Sequence, residues 1–172
     1  YGTAEDRNLL KDTRQPTVFD AVLRVLVFSR KNGEKVGLLV QWNSHPEVMG
    51  SKNKLITADF PWATVRELKK KYECPVAYFT GTVGGLMAPP PGPTTFEYTE
   101  KHGLEVAGLA ARAIAAAEPL KLTPMKVQAQ MIYIPVTNRL YRLGLSMRVL
   151  RRAGFVSTGD PYRKGQAMSE KS

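Results

Sequence analysis

Asn32-Gly33 is the feature that most narrows what this chain can fold into. It stands between two runs rich in Val, Leu and aromatic residues, Ala21 to Ser29 and Val36 to Trp42. An Asn-Gly pair between such runs is the strongest short hairpin signal, because both residues tolerate positive φ. Two antiparallel strands are therefore expected here. Residues 43–53 follow as an irregular segment with His45-Pro46 and Gly50-Ser51. Thr57 or Asp59 can then cap a helix with Pro61 in its first turn. That helix is expected to run to about Tyr72, with Val65 and Leu68 inward and Arg66, Lys69, Lys70 and Lys71 outward.

Pro75 to Thr80 is short and apolar and reads as a third strand. Strand, helix, strand from Val36 to Thr80 is a βαβ unit, whose crossover is right-handed and whose strands are parallel neighbours. Parallel strands release their following loops at the same carboxyl edge, where ligand sites of open α/β sheets form. The His45 loop and the Gly84-Gly85 loop are thus expected to face one crevice. The fold class is α/β, a mixed sheet in which a β-hairpin precedes a βαβ unit with flanking helices.

The flanks are less sharply marked. Residues 1–16 are polar and read as a loop or extended lead-in. A Pro-rich stretch, Pro89 to Pro93, follows the glycine loop. Tyr98 to Ala117 is Ala-rich and helical, with Ala107, Gly108 and Ala111 small enough for close packing, and His102 reads as ordinary surface. Met125 to Pro135 alternates and reads as a fourth strand, and Asn138 to Arg152 as a third helix. Residues 1–153 form the α/β segment, and 154–172 a flexible polar tail.

Charge and composition bound the partners. Lys and Arg outnumber Asp and Glu by 25 to 15, a formal charge of +10. That balance suits anionic partners or simply solubility. The third helix concentrates it: Leu140, Leu143, Met147 and Leu150 form an apolar stripe, with Arg139, Arg142, Arg148, Arg151 and Arg152 around it. Such a helix can pack its stripe on a core and display its arginines. It can also lie on an anionic membrane surface, through Arg148, Arg151 and Arg152. Nucleic acid is not the expected partner, because no aromatic residues interleave with the arginines. The one cysteine, Cys74, excludes an internal disulfide and a Cys-rich zinc site, and reads as a buried thiol. No apolar run approaches the roughly 20 residues of a membrane span. The chain opens on a polar stretch, Tyr1 to Arg7, without Met, and is read as a piece of a longer polypeptide.

Few residues can carry chemistry. His45 is one of two histidines and lies three residues past a strand end. It can be a metal ligand or a base, or a loop histidine satisfied by backbone groups. Asp59 reads first as a helix cap and Glu47 as solvated. Gly81 to Ala88 can expose backbone N–H groups to an oxyanion, with Gly84 and Gly85 as the donors. No Gly-Lys-Ser/Thr follows, so it is not a phosphate-binding P-loop.

Two blocks resemble a known family. Leu39-Val40-Gln41-Trp42-Asn43-Ser44-His45-Pro46-Glu47, with Gly50 to Pro61, is similar to the bacterial branch of the neutral/alkaline non-lysosomal ceramidases. Val76 to Pro89 resembles that family's next block. The resemblance spans roughly residues 1–150 and implies an interior segment of a larger α/β catalytic domain. It implies a zinc-dependent hydrolase that cleaves an amide, of an N-acyl lipid or a small molecule, in an extracytoplasmic setting.

The family holds zinc with two histidines, a glutamate and a tyrosine, and its His-Pro block makes His45 one ligand. The other three ligands have no counterpart here, so the resemblance implies a site completed by the rest of the parent polypeptide. The family's nucleophilic serine falls at Met87 or Ala88, and neither can attack a carbonyl. An activated water is the alternative nucleophile. Thr82, Met87 and Ala88 are the expected substrate contacts. The competing expectation is a non-catalytic lipid- or membrane-binding module that retains the fold.

Overall fold

The computed structural model describes residues 1–12, 15–84, 87–121, 123–124, 126–147, 149–150 and 154–166. The chain divides into two compact units, 1–121 and 122–172.

The first unit is built on a four-stranded sheet. Strand β1 spans Gly2–Glu5, β2 Val22–Ser29, β3 Lys35–Trp42 and β4 Val76–Thr80, in the order β1-β2-β3-β4. β1–β2 and β2–β3 are antiparallel, and β3–β4 is parallel. The hairpin closes where Asn-Gly marked it. Arg30 N–H donates to the Glu34 carbonyl at 2.8 Å, and Gly33 takes φ +88°. Helix α1, Phe60–Tyr72, makes the crossover from β3 to β4, and α2 spans Phe96–Ala115.

Alternation sorts the sheet into two faces. Leu23 and Val25 of β2 and Leu38, Val40 and Trp42 of β3 are buried. They lie on the face where α2 packs on β1 and β2 while α1 packs on β4 and α2. Phe60 and Leu68 of α1 and Val106, Leu109, Ala110 and Ala113 of α2 complete this core, and Ala63 is buried as well. Phe28 and Phe79, on the opposite face, are about half exposed.

Several expectations change here. The lead-in contains strand β1, with Gly2 opposite Val25. Thr64 and Leu68 are buried on α1, whereas Val65 is only half-buried. The close approach of the helices occurs at Gly103, not Gly108, which is exposed. A Cβ on Gly103 would lie 2.5 Å from the Phe60 carbonyl oxygen and 2.6 Å from the Ala63 Cβ. Thr64 Oγ1 donates to the Gly103 carbonyl at 2.8 Å across this contact. Gly103→Ala should therefore lower stability by about 1–3 kcal/mol through overpacking, read as a lower urea midpoint with an unchanged slope.

His102 is the larger correction. It is a core residue, only 2% exposed, with its ring edge-on to Phe60 at 4.9 Å. Burial pushes its pKa down to about 4, against the opposing pull of the Asp59 charge. Glu105 lies 3.8 Å from Nδ1. Neutral in the folded state, His102 takes up a proton on unfolding below its ordinary value of about 6.5. Its contribution is complete above that pH and is lost as pH falls towards 4, by up to about 3 kcal/mol. Denaturant titrations from pH 7 to 4.5 should show this loss, and His102→Leu should lack it.

The second unit holds helix α3, Arg139–Ser146, capped by the Asn138 side chain on the Tyr141 N–H at 3.0 Å. It stops short of the expected Arg152, where Leu150 N–H turns back onto the Gly144 carbonyl at 3.0 Å. None of its residues is buried, and Leu140, Leu143 and Met147 are exposed rather than packed. The described residues of 126–135 form no strand. Tyr133 N–H instead bonds the Pro161 carbonyl at 2.7 Å, and Val156 N–H the Gln166 carbonyl at 2.9 Å. No helix among the described residues is long and apolar enough to cross a membrane.

Candidate functional site

The exits of β3 and β4 are zipped together at the carboxyl edge of the sheet. Gly81 N–H donates to the Trp42 carbonyl at 2.9 Å, one step beyond the parallel ladder. Asn43, fully buried, comes next. Its Oδ1 accepts from the Thr82 N–H at 2.9 Å and from Gln41 Nε2, while its Nδ2 donates to the Asp20 carbonyl at 3.0 Å. One amide therefore fixes both loops to the lead-in of β2. It also dictates Gly81: a Cβ there would sit 1.7 Å from Gln41 Nε2 and 2.0 Å from Asn43 Oδ1.

His45 is held by the same junction. Its N–H donates to the Met87 carbonyl at 3.0 Å, and its Nε2 lies 3.0 Å from the Val83 carbonyl oxygen. A carbonyl oxygen only accepts, so Nε2–H donates this bond, and in the neutral ring Nδ1 holds the lone pair. Among the described residues, no hydrogen-bond partner meets Nδ1. The ring is half-buried. The expected meeting of the His45 loop with the segment after β4 is thus present.

Asp59 anchors the other end of the loop. It caps α1 through the Phe60 N–H at 2.8 Å. The same carboxylate accepts the N–H groups of Val48 at 3.1 Å and Met49 at 2.9 Å. Its backbone stands at φ 55°, ψ −155°, a region that residues other than glycine rarely enter, at a cost of about 1–3 kcal/mol. Three donors on one buried carboxylate offset that strain.

Between the loops lies a cleft of about 490 Å³. Glu47, Val48, Gly50 and Ser51 line one side, and Ala88 to Gly92 with Tyr98 the other. Of the expected substrate contacts, Ala88 lines this cleft, Thr82 is exposed with its N–H taken by Asn43, and Met87 is buried in the core. Gly84 is exposed. Gly85, Arg148, Arg151 and Arg152 lie outside the described residues. Sequence reasoning missed Asn43, the second task of Asp59, and the part of Tyr98 and the prolines in the cleft wall. The signal for the last was present: a Pro run that follows a strand-end loop must pass along the same edge.

The described residues do not make a zinc site by themselves. Among the described residues no three His, Cys, Asp or Glu side chains come together as metal ligands. Asp59 is occupied by backbone donors, and His45 and Glu47 alone do not make up a ligand set. Structural and catalytic zinc sites need at least three protein ligands.

Asp59→Ala should cost about 3 kcal/mol, since buried N–H groups lose a charged acceptor. Asp59→Gly, free of the backbone strain, should cost less. Amide exchange should show Val48 and Met49 losing protection in both variants, while the β2–β3 amides keep theirs.

No family model and no curated protein matches this sequence. Solved structures do share its fold. A ceramidase complexed with C2 superposes with a TM-score of 0.58 at 20% identity, over 66% of this chain and 21% of that one. A neutral ceramidase from Pseudomonas aeruginosa does so with a TM-score of 0.55 at 22% identity, over 66% of this chain and 22% of that one. The chain spans about a fifth of the length of the ceramidases it resembles, and over that part its fold is theirs.

Proposed function

We propose that this chain is a segment of a ceramidase-like hydrolase that cleaves an amide bond, in an N-acyl lipid or a small molecule. The observation that carries the reading is His45, held at the meeting of two strand-end loops with no partner on Nδ1 among the described residues, on a fold shared with neutral ceramidases. The imidazole is the chain's contribution of one zinc ligand, and further polypeptide would supply the others. The cleft lined by the residues that follow His45 and Met87, though not by His45 itself, has apolar walls at Val48, Ala88 and the prolines, with carboxylate and hydroxyl groups at Glu47, Ser51 and Tyr98. That mixture suits an apolar chain ending in a polar group.

Met87 and Ala88 offer no nucleophile, so water is the attacking group in this reading. Gly84 is the described candidate for donating an N–H to the developing oxyanion. An extracytoplasmic location goes with the family reading and rests on nothing else.

The test compares zinc content and N-acyl amide hydrolysis of the longer protein with those of its His45→Ala variant. Stoichiometric zinc and turnover should both be lost, with the far-ultraviolet circular dichroism unchanged. Equal zinc in the two proteins would sink the assignment.

A further inference from the structure

The segment leading into α1 carries a group of apolar side chains that the fold leaves outside. Ile56 is fully exposed, Leu55 is 64% exposed and Trp62 53%. Scattered exposed hydrophobics need no explanation, but three large ones within eight residues do. They are held in place. The Asn53 side chain donates to the Leu55 carbonyl at 2.8 Å and accepts the Leu55 N–H at 3.1 Å, forming a turn that projects Leu55-Ile56. Arg66 lies over the Trp62 ring at 4.3 Å and pairs with Glu100.

Beside Leu55 and Ile56 the flanking charges are basic, while the Arg66 stacked on Trp62 is balanced by Glu100. Lys52 and Lys54 are exposed and have no ion-pair partner among the described residues. Between Val48 and Pro61 the acidic residue is Asp59, which turns inward onto backbone N–H groups. The topology fixes the position. A right-handed βαβ crossover must begin α1 at the carboxyl edge of the sheet, the edge that carries the cleft. Exposed aliphatic residues, a tryptophan and neighbouring lysines are the combination that inserts shallowly into a lipid headgroup region.

From this we infer that Leu55, Ile56 and Trp62, with Lys52 and Lys54, form a docking surface for an anionic bilayer. The surface uses no residue of the arginine-rich third helix and does not depend on the hydrolase reading. It would present the cleft edge to the lipid.

The chain has an internal reporter. It holds two tryptophans, and Trp42 is fully buried, so a change in emission on adding vesicles belongs to Trp62. Sedimentation with vesicles of phosphatidylcholine alone, or with added phosphatidylglycerol, should show binding to the anionic vesicles only. A blue shift and quenching by brominated lipid should accompany it.

Lys52→Ala and Lys54→Ala should each weaken partitioning about fivefold, and added salt should weaken it further. Leu55→Ser with Ile56→Ser should weaken it about tenfold or more. The same measurements on the longer protein test whether lipid or protein covers the patch. A Trp62 signal already buried there, with no response to vesicles, would overturn the proposal. So would equal binding to neutral vesicles, or serine variants that bind as well as the original. Loss of zinc in His45→Ala with vesicle binding intact would separate this surface from the catalytic reading.

Discussion

The parallel pairing of β3 with β4 is the constraint from which the rest of the first unit follows. Leu38 to Trp42 lie in register with Val76 to Thr80. Parallel neighbours cannot be joined by a tight turn, so α1 must carry the chain back across one face of the sheet. The crossover supplies Phe60, Ala63 and Leu68 to the core. It also forces the two exit loops onto one edge, where Asn43 and His45 tie them together. The fold and the crevice are thus consequences of the same hydrogen-bonded ladder.

Much of this was legible because short-range chemistry decides it. Asn32-Gly33 marks the hairpin, and Asp59 with Pro61 marks the helix start. Other features depend on partners far away in sequence. β1 is four residues long and gains strand identity only by pairing with β2, some twenty residues on. The alternation expected of Met125 to Pro135 shows the reverse: without a partner strand, the described residues 126–135 make no ladder. His102 could have been placed correctly, since His102, Val106, Leu109 and Ala113 fall on one helical stripe. Its polarity hid the pattern. Gly103 escaped notice for a related reason, because which small residue meets the neighbouring helix depends on where that helix crosses.

Asp59 shows how one residue can answer two demands. Capping α1 needs a short oxygen acceptor, which a sequence reader recognises. Holding Val48 and Met49 needs that acceptor to be a carboxylate in an unusual backbone conformation, and no local pattern announces it. The loop that carries His45 is thereby fastened at both ends, by Asn43 and the His45 backbone on one side and by Asp59 on the other. A segment without helix or strand is in this way as well braced as the elements it connects.

The bond from His45 to the Val83 carbonyl has one more consequence. It favours a proton on Nε2 and restrains the ring before any ligand is present. An electrophile arriving at Nδ1 meets an imidazole whose torsional freedom was surrendered during folding. In the proposed role of His45 as a ligand, the entropy otherwise lost on association is already charged to the fold, which would strengthen coordination without any added contact.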